Sequence, residues 1–146
     1  MLSRNSIPLY HFNSLMSLLA RQLAAKLKEN EFVAFKSKLT QITGHEIELN
    51  VDWASFTAFD EFPITRMNDY LFKPILDAFA RLCVDQIGLD AVRDGVASIS
   101  LTCTDNSNSP AITFQNKVLT MKSHLAGDAF SYQESDVIYS VLNDKL

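Results

Sequence analysis

The stretch from Glu46 to Trp53 alternates strictly between polar and apolar residues. Its polar members are Glu46, Glu48, Asn50 and Asp52, and its apolar members are Ile47, Leu49, Val51 and Trp53. Because successive side chains of a strand point to opposite faces, this pattern predicts a strand with one buried face and one wet face. A chain with such a strand must cover one face of a sheet with other elements. The sequence therefore predicts a sheet whose solvent side is acidic along this strand.

Helical spacing dominates the chain before this strand. Leucines recur every four residues over 15–27, and a second apolar stripe over 32–42 is out of phase with the first. This shift predicts two helices with a break near Asn30. Gly44 is suited to end the second helix, because glycine adopts the left-handed backbone of a helix end.

A long helical stretch follows the strand, from about Thr65 to Gly88, where we expect it to stop. Pro74 lies inside this stretch, so the pattern fits either a kinked helix or a helix that starts later than Thr65. We expect a short helical turn closed by Gly95 and a last helix that begins at Ser135.

Three more alternating stretches predict three further strands. They are residues 97–104, 111–114 and 118–125. Turn-forming residues fill 105–110, and Asn116 and Lys117 join the last two stretches. Short turns between successive strands predict an antiparallel sheet of about four strands packed against helices. The sequence thus predicts a single globular α+β domain over residues 1–146, in the order α-α-β-α-β-β-β-α.

Charge and hydropathy exclude several classes of partner. The chain has 13 basic and 17 acidic residues, a formal net charge of −4, whereas nucleic-acid-binding proteins usually have a basic surplus. No apolar run approaches the roughly 20 residues that a membrane span needs, and the leucine-rich N-terminal stretch resembles an amphipathic helix more than a secretory signal. We therefore expect a soluble, cytoplasmic protein without a nucleic-acid or membrane partner. Cys83 and Cys103 are expected to be reduced thiols among apolar neighbours.

The sequence contains few patterns that are typical of catalysis. Its four glycines form no nucleotide-binding loop and no GxSxG nucleophile turn. Its histidines are far apart, and Glu46 and Glu48 supply too few oxygens for a hard cation. We therefore predict no metal, no cofactor and no catalytic residue. The acid–base candidates by residue type are His45, His124, Asp60 and Glu61.

The most unusual segment is WASFTAFDEFP, residues 53–63, in which an aromatic residue recurs at every third position. One interpretation is that these rings close one end of the core in a loop or short helical turn. The other is that some rings are exposed and form an aromatic patch with an acidic rim, as in protein interfaces. The candidate binding residues are Glu46, Glu48, Asp52, Trp53, Phe56, Phe59, Asp60 and Glu61.

Together these features favour a small, acidic, non-catalytic protein that binds other proteins, of the adaptor, inhibitor or toxin-neutralising type. Its acidic strand favours a basic protein surface as the partner. An exposed aromatic patch is also typical of a surface through which a protein forms a homodimer. The alternative is a small α+β enzyme or ligand carrier with a pocket between sheet and helices. Such a pocket could be lined by Tyr70, Phe72, Phe130 and Tyr132.

Overall fold

The structure, a computed structural model, describes residues 18–105 and 110–146. Leu15 in the first predicted helix and most of the predicted turn over 105–110 lie outside the described residues. The helices are α1 (18–29), α2 (Glu31–Thr43), α3 (Trp53–Thr57), α4 (Phe62–Met67), α5 (Lys73–Leu82), α6 (Gln86–Gly95) and α7 (Ser135–Asn143). The strands are β1 (Glu48–Val51), β2 (Ser98–Cys103), β3 (Ala111–Gln115) and β4 (Val118–Ser123).

The predicted break between the first two helices is confirmed at Asn30. Its backbone leaves the helical region, with φ −115° and ψ −82°. Its side-chain amide donates to the Lys26 carbonyl at 2.9 Å, which satisfies a carbonyl near the end of α1. Gly44 ends α2 in the left-handed conformation, with φ 76°, as its position in the sequence predicts.

The helical run around Pro74 contains a wide turn. Residues Asn68–Phe72 form one π-helical turn between α4 and α5, and the Lys73 N–H donates to the Asn68 carbonyl five residues back. Pro74 has no N–H for the carbonyl four residues before it, so regular α-helical bonding is interrupted here. Of the two predicted alternatives, the structure therefore has an irregular helix rather than a late start.

The predicted stop at Gly88 is wrong. Helix α5 ends at Leu82, and Asp85 caps α6 by accepting a hydrogen bond from the Gly88 N–H at 2.9 Å. Gly88 therefore lies in the first turn of α6. A Cβ at this position would collide with the carbonyl oxygen of Leu82. The glycine at this position therefore does not end a helix; it allows the end of α5 and the start of α6 to approach each other closely.

The sheet has the order β1-β2-β4-β3. β1 pairs with β2 in parallel, β2 pairs with β4 in parallel, and only β3 and β4 are antiparallel. The sheet is therefore mixed, and the antiparallel prediction is wrong for two of its three pairs. Helices α3 to α6 carry the chain from the end of β1 back to the start of β2, which makes that pair parallel. β3 follows β2 in the sequence but lies beyond β4, at the far edge of the sheet.

The α+β class, the four strands and the general order of elements are confirmed. Helices pack on one face of the sheet, with α3 against β2, α7 against β3, and α5 between α2 and α7. The large side chains of this core are almost fully buried and include Phe35, Phe56, Phe72, Phe79, Ile99, Leu101, Leu119 and Met121. The other face is polar, and the strand register places Asn50, Ser100, Thr120 and Thr113 in one row across it.

Candidate functional site

β1 lies at one edge of the sheet, and its outward side chains are polar. β2 is its one neighbour in the described sheet. Glu46, Glu48, Asn50 and Asp52, which we call the acidic row, are all exposed. The strand is shorter than the alternation predicts, because only residues 48–51 are in β1 and Trp53 begins α3. Glu48 and Asn50 are roughly 6.5–7 Å apart within β1, and Glu46 and Asp52 flank the strand. The predicted wet face of this strand is therefore present, and it lies at the border of the sheet.

The backbone of β1 offers hydrogen-bonding groups along this border. The Glu48 N–H donates to the Ala97 carbonyl at 3.1 Å, and the Asp52 N–H donates to the Leu101 carbonyl at 2.9 Å. In a parallel pair, every second residue directs its N–H and C=O groups to the neighbouring strand, and the alternate residues direct theirs the other way. Leu49 and Val51 therefore present their backbone groups to the side on which the described sheet has no further strand.

A groove of about 490 Å³ runs beside this edge. Its lining combines ring, aliphatic and hydroxyl side chains and consists of Phe32, Leu49, Asn50, Val51, Asp52, Trp53, Ser100, Leu101 and Thr102. The groove thus borders both the acidic row and the outward backbone of β1. We call this groove together with the acidic row the β1 surface.

The aromatic wall of the groove is fixed by the core. Phe32 meets Trp53 edge to face, with ring centroids 5.3 Å apart, and lies 5.9 Å from Phe72. Phe72 stacks on Phe35 at 4.4 Å, and both of these rings are buried. Such ring contacts are stabilising and directional, so the half-buried Phe32 and Trp53 are held in place before any ligand arrives.

Two lysines lie over this wall. Lys28 Nζ is 4.7 Å from the centroid of the Trp53 ring, and Lys36 Nζ is 5.8 Å from that of Phe32. Both distances are within the range of cation–π attraction. The charges at β1 are therefore divided by face: amines lie beside the rings on the helical side, and the acidic row lies on the open side of the sheet.

Asp52 has a second, structural role at the end of β1. Its carboxylate accepts a hydrogen bond from the Ser55 N–H at 3.3 Å, which caps α3. The Ser55 hydroxyl donates to the Asp52 carbonyl at 2.6 Å and accepts from the Cys103 N–H at 2.9 Å. Asp52 and Ser55 thus connect β1, α3 and β2, and fix the end of the groove.

The structure divides the predicted aromatic run between core and surface. Phe56 is fully buried, Trp53 is half-buried, and Phe59 and Phe62 are 41% and 37% exposed. The first part of the run forms the short helix α3, as one interpretation of the sequence expects. The other interpretation, that the exposed rings form a binding patch, stays a prediction. Phe56 therefore supports the site from the core and does not reach its surface.

Asp60 and Arg66 hold the segment that follows β4. The Asp60 carboxylate accepts hydrogen bonds from the N–H groups of Phe62, at 2.9 Å, and Gly127, at 3.2 Å. Arg66 lies between the rings of Phe62 and Phe130, with its Cζ 4.5 Å and 4.2 Å from their centroids. Asp60 is thus committed to a tertiary contact. Glu61, next to it, is half-buried.

The aromatic residues of the alternative pocket belong to two different clusters. Tyr70 packs against Phe130 at 4.8 Å and against Tyr132 at 4.9 Å, whereas Phe72 stacks in the core on Phe35. A surface cavity of about 390 Å³ borders Tyr70 and Tyr132. The carboxylates in its lining are Asp69, Asp77, Glu134 and Asp136.

The thiol and imidazole at the end of the sheet are not arranged as a nucleophile and its base. Cys103 follows Ile99 and Leu101 on the helical face, whereas His124 continues the outward series of Thr120 and Lys122 on the opposite face. Burial raises the pKa of the Cys103 thiol, which is the reverse of what activates a thiolate. His124 Nδ1 lies 2.8 Å from the Thr104 carbonyl oxygen.

The remaining acid–base candidate, His45, connects two chain segments. Its Nε2 lies 3.3 Å from the Val96 carbonyl oxygen, and its Nδ1 lies 3.5 Å from that of Thr43. Among residues 18–105 and 110–146, no three His, Cys, Asp or Glu side chains come together in a way that could hold a metal ion. None of the helices in these same ranges is both long enough and apolar enough to cross a membrane.

Sequence patterns missed one wall of the groove. The apolar stripe over residues 32–42 predicts that Phe32 is buried, whereas the structure has it half-buried in the first turn of α2. Lys28 carried no signal, because its contact with Trp53 exists only in the folded chain.

Comparisons of the chain with protein-family models, with curated proteins and with solved structures find no significant match.

Proposed function

We propose that this protein is a non-catalytic binding domain that holds a basic segment of another protein at the β1 surface. The observation that carries the proposal is that three features occur together: a sheet edge that no described strand pairs with, the acidic row, and a groove whose aromatic wall is packed on the core. Rigid aromatic side chains bordered by polar residues are typical of protein-binding surfaces.

The charge of the acidic row supports a basic partner. Glu46 and Glu48 are exposed, and Asn50 and Asp52 continue the row towards the groove. A basic segment would approach faster and be selected over acidic competitors, because complementary charge raises the association rate and the specificity. The net charge of −4 adds to this preference.

The arrangement of the titratable groups does not favour the enzyme alternative. Asp60 is hydrogen-bonded to two backbone N–H groups, and Cys103 and His124 lie on opposite faces of the sheet. A general base or an activated nucleophile requires a partner within hydrogen-bonding reach. These groups instead stabilise the fold.

Selection from a library of short random peptides tests the proposal. The full chain and a Glu46→Lys/Glu48→Lys variant are immobilised, and the recovered peptides are sequenced. We expect peptides enriched in lysine and arginine, and we expect them to bind the variant at least about tenfold more weakly.

An Asp77→Lys/Asp144→Lys variant is the matched control. It carries the same change of charge at two exposed positions that do not line the groove. It should keep the affinity of the wild-type protein, with circular dichroism confirming that all three proteins are folded. Recovered peptides that are neutral or acidic, or that bind both variants equally well, would contradict the proposal.

A further inference from the structure

We propose that the basic partner binds as an added β-strand, paired with the outward backbone of β1 and alternating between basic and apolar side chains. This inference rests on the proposed function and specifies how the partner is recognised. Three independent features of the β1 surface lead to it: the direction of its backbone groups, the difference between its two faces, and the like charge that opposes pairing with a second copy.

The backbone argument begins with Leu49 and Val51. Their N–H and C=O groups point away from β2, to the side that no described strand occupies. An extended peptide on that side would satisfy these groups and would continue the sheet beyond β1. Addition of a strand to an open sheet edge is a common way to bind peptides, because backbone hydrogen bonds contribute affinity whatever the sequence.

The two faces of β1 determine which side chains fit at alternate positions. On the open face, the added strand would lie beside Glu48 and Asn50, where lysine or arginine is favoured. On the helical face, its side chains would lie against the part of the groove that Phe32 and Trp53 form. Lys28 and Lys36 lie over these rings, so a basic side chain is disfavoured there and an apolar one fits.

A second copy of this chain is a poor occupant of the edge. In an antiparallel pair of two β1 strands centred on Asn50, Glu48 of each copy would face Asp52 of the other. In a parallel pair in register, Glu48 would face Glu48. Like charges directly opposite each other destabilise strand pairs, so the acidic row selects against self-pairing and in favour of a basic partner.

The test uses the full chain and a synthetic peptide in which lysine and valine alternate. Trp53 is the only tryptophan of the chain and lines the groove, so its fluorescence reports directly whether the groove is filled. We expect saturable binding accompanied by a change in Trp53 emission. A peptide of the same composition, with all lysines before all valines, should bind at least about tenfold more weakly, because it cannot direct one residue type to each face.

Backbone N-methylation separates strand addition from simple charge attraction. Antiparallel pairing would use the N–H groups of the valines, which lie opposite Leu49 and Val51, whereas parallel pairing would use those of the lysines. Methylation of one of these two sets should weaken binding at least about tenfold, because each lost hydrogen bond leaves a backbone group unpaired. Methylation of the other set should change the affinity little. The set whose methylation weakens binding shows whether the added strand is parallel or antiparallel to β1.

The possible failures are distinguishable from each other. If the alternating peptide, the peptide with all lysines before all valines and the methylated peptides bind equally well, strand addition is overturned. The proposed function would still stand if the Glu46→Lys/Glu48→Lys variant loses affinity for all of them. An alternating peptide that neither binds nor changes Trp53 emission would also overturn the inference. In that case the peptide selection described above decides the proposed function independently.

Discussion

At the scale of single residues, the turn between β3 and β4 contains a correctable strain. Asn116 and Lys117 both have left-handed backbones, with φ 53° and 65°. Asparagine tolerates this conformation, but the Cβ of lysine is crowded by the backbone.

We expect Lys117→Gly to raise the free energy of unfolding by about 0.5–1 kcal/mol, because relief of this crowding exceeds the entropy cost of a glycine. Urea denaturation measures the change, with Lys117→Ala, which retains the Cβ, as the control. A less stable glycine variant would contradict this account.

The buried thiol of Cys103 gives a second prediction, about pH. Burial raises its pKa above the usual value, a hydrogen bond with the Leu125 backbone acts in the opposite direction, and the carboxylates of Asp60 and Asp105 raise it further. The folded state therefore favours the neutral thiol. The neutral thiol makes its full contribution to the free energy of unfolding below the unfolded-state pKa of roughly 8.5. This contribution is lost as the pH rises through the higher folded-state pKa.

Comparison of the wild-type protein with Cys103→Ala isolates this effect. The difference in their free energies of unfolding should be constant from pH 7 to about pH 8.5 and should shrink above it, because only the wild-type protein loses the thiol contribution. Denaturation in urea at several pH values measures the difference. A difference that stays constant up to pH 10 would contradict the raised pKa.

The aromatic run shows what sequence could indicate at this scale. A spacing of three residues correctly marked a segment that is not a regular strand, and α3 begins there. The same spacing could not distinguish the buried Phe56 from the exposed Phe59, because both are phenylalanines in a short irregular segment. Their difference arises from the packing of α3 against β2.

At the scale of elements, the contact between α5 and α6 depends on Gly88. A Cβ at this position meets the backbone of Leu82, which cannot move away as a flexible side chain could. We expect Gly88→Ala to lower the free energy of unfolding by roughly 2–3 kcal/mol, measured by thermal or urea denaturation. Gly95→Ala is the matched control, since its Cβ would meet only the side chain of Leu146, which can turn aside. Equal losses in the two variants would show that helix packing is not the cause.

The sheet shows why elements were easier to predict than their pairing. Alternation located β2, β3 and β4, because each strand carries its own inward and outward residues. The direction of pairing depends instead on where the connections lead. Parallel pairing of β1 with β2 requires the helical crossover between them, which alternation within either strand does not encode.

At the scale of the whole molecule, one part of the candidate site, the acidic row, can be predicted from the sequence, and the other part, the groove, cannot. The acidic row follows from alternation within one segment, so its exposure could be derived from the sequence alone. The groove could not, because it forms where Phe32 of α2 meets Trp53 of α3 after both have packed on the core. Charge patterning is local, whereas a concave surface is a property of the folded chain.

The last prediction concerns the state of association of the whole molecule. An open edge strand is a template for self-pairing, and the acidic row opposes this by placing like charges opposite each other. We therefore expect Glu46→Gln/Glu48→Gln to self-associate at concentrations at which the wild-type protein does not pair through β1. Sedimentation velocity over a range of concentrations measures the change, with Asp77→Asn/Asp144→Asn as a control of equal charge. If both variants associate equally, net charge is the cause; if neither does, the acidic row is not what keeps this edge from pairing with itself. Association of the β1 variant alone would mean that the same carboxylates prevent self-pairing and leave the edge open to a basic strand.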